Sequence, residues 1–143
     1  MRIDGLWSEP TGQHTVPLAV TWTGTQPCTL DGYPTVVLLN GEGQPLAFRY
    51  SHHDQVVTKH SPRVVHVGGD GSAYFIFNKY RCDIRAQSGA RSVRVRLPGV
   101  SGWLVAQLRN PNIDFCPAEP PSQTVAVSPL EPNLIQASWQ PAS

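Results

Sequence analysis

The sequence predicts an all-β domain, built as a two-sheet antiparallel β-sandwich. Three observations carry this. Every apolar pattern in the chain has period 2, and no segment of helical length has period 3.6. The 14 Pro and 12 Gly are scattered along the chain, which suits short strands and turns and would interrupt long helices. Eight or so strands at intervals of about 10–20 residues, in a chain of 143 residues, fit a sandwich better than a barrel.

Val16 to Thr23 places Leu18, Val20 and Trp22 on one face and Ala19, Thr21 and Thr23 on the other, as a half-buried strand requires. A turn-rich segment from Gly24 to Pro34 precedes the continuous run Val36-Val37-Leu38-Leu39, which reads as a strand covered on both faces. Asn40-Gly41-Glu42-Gly43 then reads as a hairpin turn returning through Leu46, Phe48 and Tyr50. Ser51 to Pro62 is polar and reads as a long loop, and Arg63 to Val67 as a strand. Gly68-Gly69-Asp70-Gly71 marks a tight turn before Ser72 to Tyr80, where Ala73, Phe75 and Phe77 share a face. Arg91 to Leu97 turns Val93, Val95 and Leu97 inward and Ser92, Arg94 and Arg96 outward. Trp103 to Leu108 and Thr124 to Val127 complete the set. The expected core is Leu18, Val20, Trp22, Val37, Phe75, Phe77, Val93 and Val95. Residues 1–15 read as an N-terminal extension, 16–130 as the sandwich, and 131–143 as an apolar tail packed on the body through Leu134, Ile135 and Trp139.

The formal net charge of +1 excludes a general polyanion binder. The distribution is less even than the total. Seven of the 11 cations lie between Lys79 and Arg109, against one acid, Asp83. No run of about 18 apolar residues exists that could span a membrane as a helix. The first residues, MRIDGLWSEP, show no signal peptide in the sequence as given, which leaves either an intracellular protein or a trimmed mature form that is extracellular or in the cell envelope.

Several arrangements that could carry chemistry fall short. The adjacent His52 and His53 point to opposite sides of an extended chain, and His14, His60 and His66 add no metal-ligand spacing, so no metal site is expected. Gly99-Val100-Ser101-Gly102 misses a nucleophile elbow by one position and reads as a hairpin turn. Gly68 to Ser72 lacks the lysine and helix of a phosphate loop. No catalytic residue and no cofactor is assigned. The four tryptophans, Trp7, Trp22, Trp103 and Trp139, could form a carbohydrate platform, but packing is the default reading and Trp22 is in core phase. The arginines have a firmer basis. Arg94 and Arg96 must share a face if Val93 and Val95 are buried, about 7 Å apart by strand rise. With Arg91 they are the candidate binding residues, for an unidentified protein or an anionic ligand, and the alternative is a solvated strand face charged against aggregation. Without interleaved exposed aromatics the basic stretch gives no support for nucleic-acid binding.

The octapeptide Pro27-Cys28-Thr29-Leu30-Asp31-Gly32-Tyr33-Pro34, following Trp22-Thr23-Gly24-Thr25 and preceding Val36 to Leu39 and Gly43-Gln44-Pro45, resembles a family of domains of unknown function in actinobacterial secreted and lipid-anchored proteins. Val67-Gly68-Gly69, Cys82, Leu97-Pro98-Gly99, Cys116 and Val127 to Leu130 extend the similarity over residues 16 to 130. The resemblance implies an immunoglobulin-like sandwich and an extracellular or cell-envelope location, and it assigns no activity. Three cysteines allow three pairs. Members of the family usually carry a further N-terminal cysteine that this chain lacks, and the resemblance implies that it would belong with Cys28, leaving Cys82 and Cys116 as the disulfide. The functional expectation is a non-catalytic interaction or ligand-binding module of the cell envelope. A structural spacer domain is the alternative, and a metal-dependent or hydrolytic enzyme the least favoured reading.

Overall fold

The computed structural model describes residues 2–5, 9–10, 13–21, 28–52, 57–58, 61–68, 72–80, 88–108, 113–116 and 123–137. Among them run the strands β1 (Arg2–Gly5), β2 (Glu9–Pro10), β3 (Gln13–Thr21), β4 (Cys28–Asp31), β5 (Thr35–Leu39), β6 (Arg49–Ser51), β7 (Val64–Val67), β8 (Ser72–Tyr80), β9 (Ser88–Ala90), β10 (Ser92–Arg96), β11 (Leu104–Gln107), β12 (Ile113–Phe115) and β13 (Thr124–Val127). One turn of helix, α1 (Leu134–Ala137), follows. The chain is all-β apart from that turn.

Hydrogen bonding joins β1-β3-β8-β13-β6 into a sheet, with β2 also on β3, and β11-β10-β5 into another; β12 pairs β9 and β4 pairs β7. The backbone of the larger sheet is the antiparallel pair β3–β8, in register from Gln13 opposite Tyr80 to Thr21 opposite Ser72. Its inner face sets Val16 against Phe77, Leu18 against Phe75 and Val20 against Ala73, all buried. These cross-strand apolar pairs fix the register, because a slip of one residue would turn the whole set to the other face. In the smaller sheet Val93 and Val95 of β10 lie opposite Leu38 and Val36 of β5 and face the same core.

β8 is covered on both faces. Ile76 points away from the main core into a second cluster with Val57, Ala126 and Ala137. The Thr58 amide donates to the Ala137 carbonyl at 2.9 Å, and the Ser128 amide donates to the Ile76 carbonyl at 2.9 Å. The α1 segment therefore closes the outer side of the sheet. Next to it Glu131, fully buried, bridges Tyr74 through two backbone hydrogen bonds of 2.8 Å and pairs with Arg63 Nε at 3.0 Å. An ion pair at this depth is retained only with such direct geometry, since removal of one partner strands a charge.

Four expectations change. The turn at Asn40 forms, with Asn40 Oδ1 accepting from the amides of Glu42 at 2.9 Å and Gln44 at 3.0 Å. The hairpin beyond it does not extend. Pro45 has no N–H to continue a ladder, so pairing ends at the Leu39–Pro45 bridge and the bond from the Leu46 amide to the Leu38 carbonyl. The chain then crosses over, with Phe48 buried edge-on to Phe115 at 5.1 Å, and β6 pairs in parallel with β13. The sheet is thus mixed, and the wholly antiparallel expectation fails there. Val37 is half-buried and not core: Val36 and Leu38 take the inner face, which puts Val37 on the outer one. Finally, the segment read as turns contains β4, and β1, β2, β9 and β12 are further strands not foreseen. Trp22 and the glycine turn 69–71 lie outside the described residues.

Candidate functional site

β10 is the central strand of its sheet, and its alternation presents Arg94 and Arg96 on the outer face. Arg94 lies opposite Val37 on one side and Val105 on the other, and Arg96 lies opposite Thr35. The hairpin turn after β10, closed by the Val100 amide on the Leu97 carbonyl at 3.1 Å, delivers Trp103 to the same face just before β11. Trp103 is 39% exposed and Val105 is 56% exposed. The guanidinium carbons of Arg94 and Arg96 stand 4.6 Å and 4.9 Å from the Trp103 ring centroid. Both distances lie inside cation–π range, so one indole holds two like charges close together.

Arg94 Nε is buried and has no hydrogen-bond partner. Among the described residues none of Arg91, Arg94 and Arg96 forms an ion pair. A buried donor without an acceptor costs about 1–3 kcal/mol. Arg91 does not join the pair. It sits at the far end of the strand, where its amide donates to the Leu39 carbonyl at 2.8 Å.

A cleft of ≈ 220 Å³ adjoins this face where the free edge of β5 meets the ends of β6 and β13. Tyr33 and His52 stack across it with ring centroids 3.6 Å apart and planes within 4°. Thr35, Val36 and Tyr50 also line it. Tyr50 Oη accepts a 2.9 Å hydrogen bond from the Leu38 amide, capping part of the β5 edge. Burial raises the Tyr50 phenol above its usual range, while the Leu38 amide and Arg94 pull it down. Burial raises Tyr33 as well, and the carboxylate of Glu131 adds to the rise. Thr35, which lines the cleft, lies opposite Arg96 in the β5–β10 register, so the cleft borders the strand that carries the arginines.

The octapeptide shapes one wall of this cleft. Gly32 adopts φ +130°, which favours glycine, and a Cβ there would stand 3.4 Å from Pro98 Cβ. The Gly32 carbonyl accepts from the Leu130 amide at 3.2 Å, so Tyr33 is held against the segment that carries Glu131.

Of the residues singled out in the sequence, Arg94 and Arg96 come together and Trp103 joins them. The grouping of Tyr33 with Tyr50 and His52 has no local sequence signal, since Tyr33 is 17 positions from Tyr50 and 19 from His52. His66 is exposed on β7; His53 and His60 lie outside the described residues, as does Trp7, Trp139 and Cys82. The described residues hold no cluster of three metal-ligating side chains and no helix long and apolar enough to cross a membrane. Cys28 is a free thiol and Cys116 is buried.

A family model described as Domain of unknown function (DUF4232) matches residues 4–131. No curated protein and no solved structure matches the chain.

Proposed function

We propose a role for the chain as a member of the family of domains of unknown function (DUF4232), to which it belongs: a non-catalytic interaction module that takes an anionic ligand or an acidic protein surface on the outer face of β5-β10-β11. The observation that carries the reading is the pair Arg94 and Arg96, both within 5 Å of the Trp103 ring centroid, with Arg94 Nε buried and lacking an acceptor. Arginine forks held on an aromatic ring are well disposed towards carboxylates and phosphates. A solvated face charged only against aggregation would leave Arg94 Nε in water, and it is buried.

The proposed partner is acidic; among the described residues the arginine face offers a single exposed indole, Trp103, which gives no support for a nucleic acid. The proposed location is the exterior or the envelope of the cell, which rests on the resemblance of the octapeptide and its flanking motifs. The same resemblance supports a Cys82–Cys116 disulfide, with Cys28 left reduced, and an immunoglobulin-like packing of the two larger sheets. The common core that draws on β3, β8 and β13 from one sheet and β5 and β10 from the other supports that packing.

Titration with poly-L-glutamate, read by Trp103 fluorescence against a Trp103→Phe control, tests the reading. Binding that weakens at least tenfold in Arg94→Gln/Arg96→Gln is the expected result. Equal binding by both proteins, or none by either, sinks it.

A further inference from the structure

The cleft beside the arginines has a feature that names the ligand more narrowly. Leu38 directs its N–H to Tyr50 Oη and its C=O to the Leu46 amide, both away from β10. In an antiparallel ladder the main-chain groups of alternate residues point the same way, so the N–H and C=O of Val36 face the same free edge of β5. Val36 lines the cleft. Among the described residues no hydrogen bond occupies that edge at Val36.

The open edge is one residue long. Leu38 above it is capped, and Pro34 below it, buried in the cleft wall, has no N–H to offer. An added β-strand needs a row of free groups, so this edge cannot take one. A single acceptor fits instead. The charge beside it sets the sign, because Thr35, which lines the cleft, lies opposite Arg96, while the carboxylate that acts on Tyr33, Glu131, is paired with Arg63. The rest of the lining is the rings of Tyr33, His52 and Tyr50 with Pro34 and Val127. A cavity of about 150 Å³ accommodates benzene, so ≈ 220 Å³ accommodates one ring with a short substituent.

We propose that the cleft binds a carboxylate carried on a single aromatic ring by a short link, the carboxylate lying between the Val36 N–H and the Arg94/Arg96 pair and the ring lying in the Tyr33–Tyr50 cleft. This rests on the anion-binding reading above and names the class of ligand for it. The chemistry could be that of a free aryl acid or of a polypeptide ending in a C-terminal aromatic residue.

The test is titration of ¹⁵N-labelled protein with 3-phenylpropionate, its uncharged amide, propionate, and a short peptide ending in phenylalanine with a free carboxylate. The expected result is a saturable shift of the Val36 amide with 3-phenylpropionate, at an affinity at least tenfold above that for the amide and for propionate, and lost in Arg96→Gln. A peptide that binds more tightly than the free acid assigns the ligand to a polypeptide terminus, and equal or weaker binding assigns it to a small acid; both retain the proposed chemistry. Binding without movement of the Val36 amide, or no preference for the charged aromatic compound, overturns the proposal. If 3-phenylpropionate fails while poly-L-glutamate still binds through Arg94 and Arg96, the cleft proposal alone falls. If both fail, the anion-binding reading falls with it.

Discussion

The carbonyl of Gly32 accepts a hydrogen bond from the amide of Leu130 at 3.2 Å, joining residues 98 positions apart. It anchors the bend before Tyr33 to the segment that carries the buried Glu131. Gly32→Ala places a side chain at φ +130° and 3.4 Å from Pro98 Cβ. The expected cost is about 1–3 kcal/mol, read from the denaturation midpoint at unchanged m-value. A change below about 0.5 kcal/mol would mean that this backbone relaxes freely.

Burial separates two apolar positions that look alike in sequence. Phe77→Ala opens a cavity in the main core and should cost about 3–5 kcal/mol. Val37→Ala, on the half-buried outer face, should cost well under half of that. Equal losses in chemical denaturation would show that the outer face of β5 is packed as tightly as the inner one.

Arg63→Ala removes the guanidinium that pairs with the fully buried Glu131. The full range for breaking a buried pair is about 3–5 kcal/mol, and about 2–3 kcal/mol is expected here because Arg63 is 44% exposed and water can partly replace it. Arg63→Lys should recover part of the loss. A neutral Arg63→Ala would show that Glu131 is held by its other contacts alone.

Alkaline stability reports on the tyrosines of the cleft. Tyr33 and Tyr50 are both raised from 10.0 in the folded state, chiefly by burial. The native state therefore holds these protons more tightly than the unfolded chain. That contribution is fully present below about pH 10 and is lost as pH rises through the folded-state values. Melting temperature should fall more steeply above pH 10 in the wild type than in Tyr33→Phe. Parallel alkaline profiles would show that Tyr33 ionises as freely as in an unfolded chain.

The cysteines discriminate location. Non-reducing peptide maps of protein made in an oxidising compartment should recover Cys82 linked to Cys116, with Cys28 alkylated. A bridge closing a loop of about 34 residues is worth roughly 3–4 kcal/mol in the chain-entropy model. A disulfide peptide containing Cys28, or three free thiols, would overturn both the pairing and the exported location.

Period-2 alternation alone determined the all-β class and the inner faces of β3, β8 and β10, because a half-buried strand must segregate its side chains by parity. It also put Arg94 and Arg96 on one outer face, since Val93 and Val95 between and before them had to be buried. Short edge strands such as β4 and β12 were illegible, because three or four residues are too few to show a period and their stability comes from neighbours distant in the chain. Val37 takes the outer face, which the sequence hides for a related reason: a continuous apolar run has no polar residue to mark its phase. What only the tertiary structure decided is the site. Whether Trp103 packs inward or covers the arginines depends on the turn after β10, and the cleft exists because β6 leaves the Pro45 hairpin to pair in parallel with β13. That crossover brings Tyr50 and His52 to Tyr33, and it is settled by the burial of Phe48 against Phe115, a contact between residues 67 positions apart that no local pattern encodes.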